Sequence, residues 1–236
     1  MTRPLAASDE TETAAPDTRR EQLLDAALAV IAERGFPDTR IADVAARAGT
    51  SPALVIYYFK TRDQLLTEAI RLSEDRWYAE GTQRIAALPT AARRLEELVA
   101  MSCLPEVEGD DAISWSVWLD LWAQSVRHPE VAAVRLEFDE HWRRTIADVV
   151  TDGQQAGEFA AVDADDFAVS VSAMLDGFAV QIALEDPVVD QTRAFNLTMQ
   201  YASAELGFDW APARGRRGRT RPNTPRPARR RSGRNS

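Results

Sequence analysis

Cysteine is nearly missing from this chain and histidine is almost as scarce, with one Cys and two His in 236 residues. A lone thiol, Cys103, excludes an internal disulfide framework. With only His128 and His141 beside it, there is no ligand set of the Cys/His kind for a zinc site. Neither a metal nor a cofactor is expected. No apolar run approaches the ~18 residues that a bilayer-crossing helix needs, so no membrane is expected among its partners. The opening MTRPLAASDETETAAPDTRR carries acids, prolines and threonines where an export signal would place an apolar block. No segment reads as a strand. What remains is globular composition, 45% hydrophobic and 28% charged, in a chain long enough to bury a real core. A reducing, cytoplasmic setting fits it.

The net charge of -9 argues against nucleic acid until it is divided along the chain. Residues 211–236 hold ten arginines and no acid, which leaves eighteen cations against thirty-seven acids, a net -19, on residues 1–210. Between positions 34 and 62 the balance reverses: Arg34, Arg40, Arg47, Lys60 and Arg62 stand against Asp38 and Asp43. A small basic island on an acidic body marks where a polyanion could dock. The arginine-rich tail, 211–236, lacks apolar residues to bury and is expected to be disordered, as is an N-terminal arm over 1–17. The tail either stays solvated or adds salt-sensitive DNA affinity.

From Thr18 onward the pattern is helical. T-R-R-E at 18–21 reads as a capping box, and Leu24, Leu28 and Ile31 continue as an apolar face. Gly35 ends this helix and Phe36 folds back on it. Thr39 is placed to cap a second helix whose inner face is Ile41, Val44, Ala45 and Ala48, with Gly49 as its stop. Ser51 caps a third helix with Pro52 in its first turn. That helix runs only to about Phe59, because T-R-D-Q at 61–64 is another capping box and starts a fourth helix running towards Gly81. Five more helices are expected at about 90–104, 111–127, 130–156, 164–185 and 190–206. Their breakers are Pro89, Pro105 with Gly109, His128-Pro129, Gly157 and Pro187, and Asp163 and Asp190 are natural N-caps. The expected fold is all-α, about nine helices.

Two short helices joined by A-G-T-S make a helix-turn-helix, with the outer face of the third helix freed to enter a major groove. A short helix suffices, because a groove about 12 Å wide admits only a few residues of its leading end. The candidate DNA face comprises Thr39, Arg40, Ser51, Pro52, Ala53, Leu54, Ile56, Tyr57, Tyr58, Lys60 and Arg62. Thr39, the two tyrosines, Lys60 and Arg62 are placed to bridge phosphates; Ala53, Leu54 and Ile56 offer apolar contact to thymine methyls at most.

The stretch ERGFPDTRIADVAARAGTSPALVIYYFKTRDQLL resembles the DNA-binding domain of the tetracycline-repressor (TetR) family. Gly35-Phe36, Thr39, Ile41, Asp43-Val44-Ala45, Ala48-Gly49 and Ser51 match its pattern, as do Phe59, Thr61-Arg62-Asp63 and Leu65 at the opening of its fourth helix. The chain departs from that pattern in Ile56 before Tyr57, which moves or removes the usual tyrosine contact, and in Pro52-Ala53 where lysine-glycine is common. SWSVWLDLWA at 114–123, G-E-F at 157–159 and L-D-G-F at 175–178 are similar to effector domains of choline-responsive betaine-synthesis repressors. The resemblance implies a homodimer whose last two helices form a four-helix bundle, with a small-molecule cavity in each subunit linked to the DNA heads through the fourth helix. It divides the chain into a DNA-binding domain over 18–64 and an effector-binding and dimerisation domain over 65–210.

Trp115, Trp118 and Trp122 recur at helical spacing. Such a stripe serves core or dimer packing, or else walls a cavity with Phe138, Trp142, Met174 and Phe178, whose aromatic faces suit a cationic effector. Asp120, Asp176 and the run Asp163, Asp165, Asp166 raise the question of acid-base or metal chemistry, but capping and solvated faces account for them. The chain is thus expected to be a ligand-responsive DNA-binding regulator, a repressor by preference, and not an enzyme. Its competitors are an all-helical enzyme and an architectural DNA binder driven by the tail.

Overall fold

Pro16 sits at the start of the first helix of the computed structural model, where its missing N–H costs nothing. The structure describes residues 16–103 and 115–212, and at Pro16, Asp17, Trp115 and Ser116 the backbone alone. Most of the expected arm and tail, with Pro105 and Gly109, lie outside the described residues. Among those described are nine α-helices and no strand. They are α1 Pro16–Arg34, α2 Ile41–Arg47, α3 Pro52–Phe59, α4 Arg62–Ala86, α5 Ala91–Cys103, α6 Trp115–Ser125, α7 Pro129–Gln155, α8 Ala164–Ala183 and α9 Gln191–Leu206.

Several starts and stops follow from local chemistry. The Ser51, Thr61, Asp163 and Asp190 side chains accept the backbone N–H groups of Leu54, Gln64, Asp166 and Arg193, each closing an otherwise open helix start. Three expectations need correction. Thr18 lies inside α1 rather than capping it, because the helix already begins at Pro16. Thr39 does not cap α2. Arg40 is the N-cap residue and contributes no side-chain cap, while the Thr39 hydroxyl donates to the Gly35 carbonyl at 2.8 Å. Gly81 does not end α4: it is buried mid-helix, and a Cβ there would collide with the Met101 methyl of α5. An interior glycine costs about 1 kcal/mol against alanine, and here it lets α5 approach closely.

The apolar residues gather into two clusters. The first unites Leu23, Ala27 and Ile31 of α1, Phe36, Val44 of α2, Val55 and Phe59 of α3, and Leu65, Leu66, Ala69 and Ile70 of α4. It also takes in Val117 and Leu121 of α6 and Val131 of α7, so head packing does not stop at residue 64. The second is built from α5, α7, α8 and α9 around Leu95, Val150, Val171 and Met199, each at most 1% exposed. Each such large apolar side chain contributes roughly 1.5–3 kcal/mol on burial. Helix α7 joins the clusters: Val131 near its start belongs to the first, and Ile146 and Val150 belong to the second. Its 27 residues span about 40 Å.

The G-E-F stretch closes the second cluster. Gly157 takes φ +72 beyond the end of α7, and Phe159 folds back into the core. The Glu158 carboxylate crosses to accept the Ala91 N–H at 2.7 Å, capping α5 from a distant part of the chain. Helix α8 is long and apolar enough, by length and composition, to cross a membrane, with only 33% of its span buried. Its buried face, Phe167, Val171 and Leu175, packs into the second cluster.

Candidate nucleic-acid interface and regulatory body

The turn between α2 and α3 rests on Gly49, which adopts φ +61 in open space, and on Thr50, whose N–H reaches the Ala45 carbonyl at 2.9 Å. Beyond it, the inward face of α3 is Val55 and Phe59, 0% and 1% exposed. That leaves Pro52, Ala53, Ile56 and Tyr57 outward, with Leu54 and Tyr58 half-buried at the margins. Ile56 is 46% exposed and Tyr57 69%, an unusual exposure for side chains of this size. The Tyr57 and Tyr58 rings meet edge-on at 5.4 Å. Lys60 ends the helix at φ +55, with its ammonium bound to the Tyr57 carbonyl at 2.7 Å and 5.3 Å from the Tyr57 ring centroid. Tyr57 and Lys60 therefore act as one surface unit.

The other expected phosphate contacts are placed differently. Thr39 is fully buried, its hydroxyl turned back to Gly35. Arg62 points inward: Nε donates to the Thr39 carbonyl at 2.7 Å, and its terminal nitrogens bind the Phe36 and Pro37 carbonyls and Asp63. Its donors hold the α1–α2 loop instead of a phosphate, because three loop carbonyls left open after α1 converge on it. Arg34 pairs with Asp43 at 2.9 Å and Arg47 with Glu33 at 2.6 Å. Among the described residues, only Arg40 and Lys60 of the basic island show no carboxylate partner. Arg40 is exposed at the start of α2.

The aromatic set expected to wall one cavity is dispersed. Trp118 meets Phe138 edge-on at 5.8 Å beside the first cluster. Trp142 faces Trp77 of α4 at 6.0 Å, and Phe178 packs on the second cluster. Met174 is half-buried, and the Trp115 side chain lies outside the described residues. Trp122 alone lines an open groove of about 570 Å³, with Ser125, Val126, Ala132, Arg135, Asp176, Gly177 and Val180. Helical spacing puts aromatics on one side of a helix but does not say which neighbour each will meet.

Sequence reasoning missed a group on α4. Tyr78 stacks on His141 of α7 at 3.8 Å, nearly parallel, and Trp77 stands edge-on to Tyr78 at 5.0 Å. One turn earlier, burial and then Asp75 push the Glu74 carboxyl from its ordinary 4.5 up to about 7. Burial, Glu74 and Asp139 push the Tyr78 hydroxyl above its usual range. Burial and Asp139 raise Asp176 to about 6, against the lowering pull of Arg135 and Arg143. The available signal was an acid three and four residues ahead of two aromatics, which share one helix face. Burial pushes the Cys103 thiol up to about 12, leaving it unreactive.

Candidate ligands for a metal do gather at one place among the described residues. Atoms of Asp63, His128 and Glu130 lie within 4.8 Å of one another at the junction of α4 and α7. Asp63 is already bound to Arg62 at 2.7 Å, and Glu130 is exposed, so the group reads as a partly neutralised surface cluster.

Comparison with known proteins places this geometry. Residues 23–69 match the bacterial regulatory proteins of the tetR family, and residues 91–207 match the C-terminal domain of BetI-type transcriptional repressors. The HTH-type transcriptional regulator BetI of Escherichia coli (strain K12) is 30% identical over 193 residues, 81% of this chain and 95% of that protein. A transcriptional regulator from Saccharomonospora viridis, solved in complex with choline, is 30% identical with a TM-score of 0.68, covering 80% of this chain and 98% of that one. A TetR-family regulator from Rhodococcus sp. is 25% identical with a TM-score of 0.69, covering 80% and 99%.

Proposed function

From the premise that the chain belongs to the TetR family of DNA-binding transcriptional regulators, which are not enzymes, and carries a BetI-type C-terminal domain, we propose a homodimeric repressor released from its operator by a small cationic effector. The observation that carries the DNA reading is the outward face of α3, where Ile56 and Tyr57 stand in solvent beside a tethered Lys60. Apolar and aromatic groups left uncovered at the rim of a cation-bearing helix suit a groove with phosphates at its edges.

The proposed contacts are Arg40, Ser51, Pro52, Ala53, Leu54, Ile56, Tyr57, Tyr58 and Lys60, with residues 18–64 as the DNA-binding unit and 65–210 as the regulatory and dimerising unit. Because Ala53, Leu54 and Ile56 offer the bases apolar contact at most, much of the affinity comes from phosphate contacts and DNA shape. Dimerisation is supported by large apolar side chains left exposed on α8, at its C-cap and on α9: Val169, Leu184 and Leu197. A second copy seated there would bring two α3 helices to successive major grooves. Operator DNA places the protein in the cytoplasm.

The choline bound to the Saccharomonospora viridis regulator makes a quaternary ammonium the first effector class to test. The groove lining supports it, since it includes an aromatic residue, Trp122, and an acid, Asp176, although Arg135 lines it as well. To act, the ligand must prefer the conformer whose heads are wrongly spaced.

The test is fluorescence anisotropy with the DNA upstream of the protein's own gene, repeated with choline and related amines. Sequence-specific binding that weakens in Tyr57→Ala and Lys60→Ala, and is lost on adding one of these amines, supports the reading. Binding that neither substitution changes would sink the proposed face, and an operator complex indifferent to every amine would sink the effector class.

A further inference from the structure

Asp120 of α6 reaches across to the DNA-binding head. Its Oδ2 accepts the Phe36 N–H at 3.1 Å, 84 residues away in sequence. The same oxygen sits 2.7 Å from where a Cβ on Gly35 would stand, so only glycine lets the carboxylate come this close to the loop. Gly35 also holds φ +82, and its carbonyl accepts the Thr39 hydroxyl just before α2. From the other side, Arg62 of α4 binds the Phe36 carbonyl. The α1–α2 loop is thus held at the N–H of Phe36 by α6 and at its carbonyl by α4. Between these grips, the Phe36 ring is 1% exposed in the head core.

Helix α6 also forms one wall of the groove, with α7 and α8 forming the others. Trp122, two residues beyond Asp120, lines it, while Val117 and Leu121 are built into the head cluster. A shift of α6 driven from the groove therefore moves the acceptor of the Phe36 N–H, and through Phe36 and Thr39 it moves the start of α2. We propose that Asp120 is the positioning residue through which α6 sets the α1–α2 loop, so that the presentation of α2 and α3 to DNA is governed from the regulatory body at this contact. This rests on the regulatory reading above, but its test needs no effector.

The experiment is a double-mutant cycle read as operator affinity on the DNA upstream of the gene, with circular dichroism and thermal melting as folding controls. Trp122→Ala perturbs α6 from the groove side, and Asp120→Ala removes the acceptor. Asp120→Asn keeps an acceptor oxygen. Asp120→Ala is expected to lower operator affinity about tenfold, the scale of one charged hydrogen bond, with Asp120→Asn recovering most of it. Trp122→Ala is expected to lower affinity in the parent chain and to have little further effect in the Asp120→Ala background, because the connection is already cut. Amide exchange at Phe36 should quicken in Asp120→Ala while that of Val55 is unchanged. Additive losses from the two substitutions, or no effect of Trp122→Ala in the parent chain, would overturn the proposal. So would parental affinity in Asp120→Ala. Loss of response to every amine in the parent protein would instead strike the effector reading and leave this cycle intact.

Discussion

The Arg62 guanidinium lies 5.2 Å from the centroid of the Phe36 ring and binds the Phe36 backbone carbonyl as well. One side chain thereby fastens both the face and the main chain of the residue that closes the α1–α2 loop. Arg62→Ala should destabilise the protein by about 3 kcal/mol or more: a hydrogen bond to a charged group is worth about 1.5–3 kcal/mol, and the several made here are weakened by the partial exposure of the side chain but not cancelled. Arg62→Lys should recover little, because an ammonium cannot span three carbonyls with a planar fork. Urea denaturation of the three proteins decides it. A lysine variant as stable as the parent would show that charge alone matters there.

Gly35 and Gly49 both hold positive φ, at +82 and +61, yet their surroundings differ. A Cβ at Gly49 meets nothing within 4 Å, whereas one at Gly35 meets the Asp120 carboxylate. Gly49→Ala should cost about 1 kcal/mol of backbone strain. Gly35→Ala adds displacement of Asp120 and should cost about 2 kcal/mol or more. Equal losses in chemical denaturation would refute the role given to the carboxylate.

Close helix approach distinguishes two other glycines. At Gly153 a Cβ would sit 2.5 Å from Phe159 Cε2 and 2.8 Å from the Ala91 Cβ, neither free to swing away. Gly153→Ala should lose about 1–3 kcal/mol to overpacking. At Gly81 the obstacle is the end of Met101, a flexible side chain. The gain in helix propensity, about 1 kcal/mol, should there offset most of the strain. Thermal melting of both variants checks the order.

The raised Glu74 carboxyl gives stability a pH dependence of definite sign. Well below pH 4.5 it is protonated whether the chain is folded or not and contributes no difference. As pH rises past 4.5 the unfolded chain ionises first, so the folded state loses stability until about pH 7, where burial no longer keeps the proton on. Glu74→Gln should match the parent near pH 4 and exceed it in melting temperature at pH 8. The same pH slope in both proteins would rule out the raised Glu74 carboxyl as its source.

The short α3 was legible because its signals act within four residues: Gly49 turns the chain, Ser51 caps, Pro52 starts the helix and Thr61 opens the next. The order and type of the described helices followed from similar local punctuation and apolar spacing. What escaped depends on partners far along the chain. Thr39 carries a plausible capping signature, but its hydroxyl goes to Gly35 once the loop closes. Arg62 looks like a groove-side cation until three carbonyls from residues 36–39 converge on it. Gly81 looks like a stop until Met101 lies across it. The tryptophan stripe gave the correct spacing without showing that Trp118 would meet Phe138 while Trp142 met Trp77.

Because Val131 at one extremity of α7 is lodged among the residues of α1–α4 while Val150 at the other sits beneath α5, α8 and α9, the recognition part is not a detachable module. A fragment severed after residue 64 would forfeit Leu65 to Ile70 along with Val117, Leu121 and Val131, and with them much of its own interior. Grafting a different DNA specificity onto this scaffold therefore calls for substitutions on the outer side of α3, leaving the inner lattice as it stands, rather than for transplanting a whole N-terminal segment from a relative.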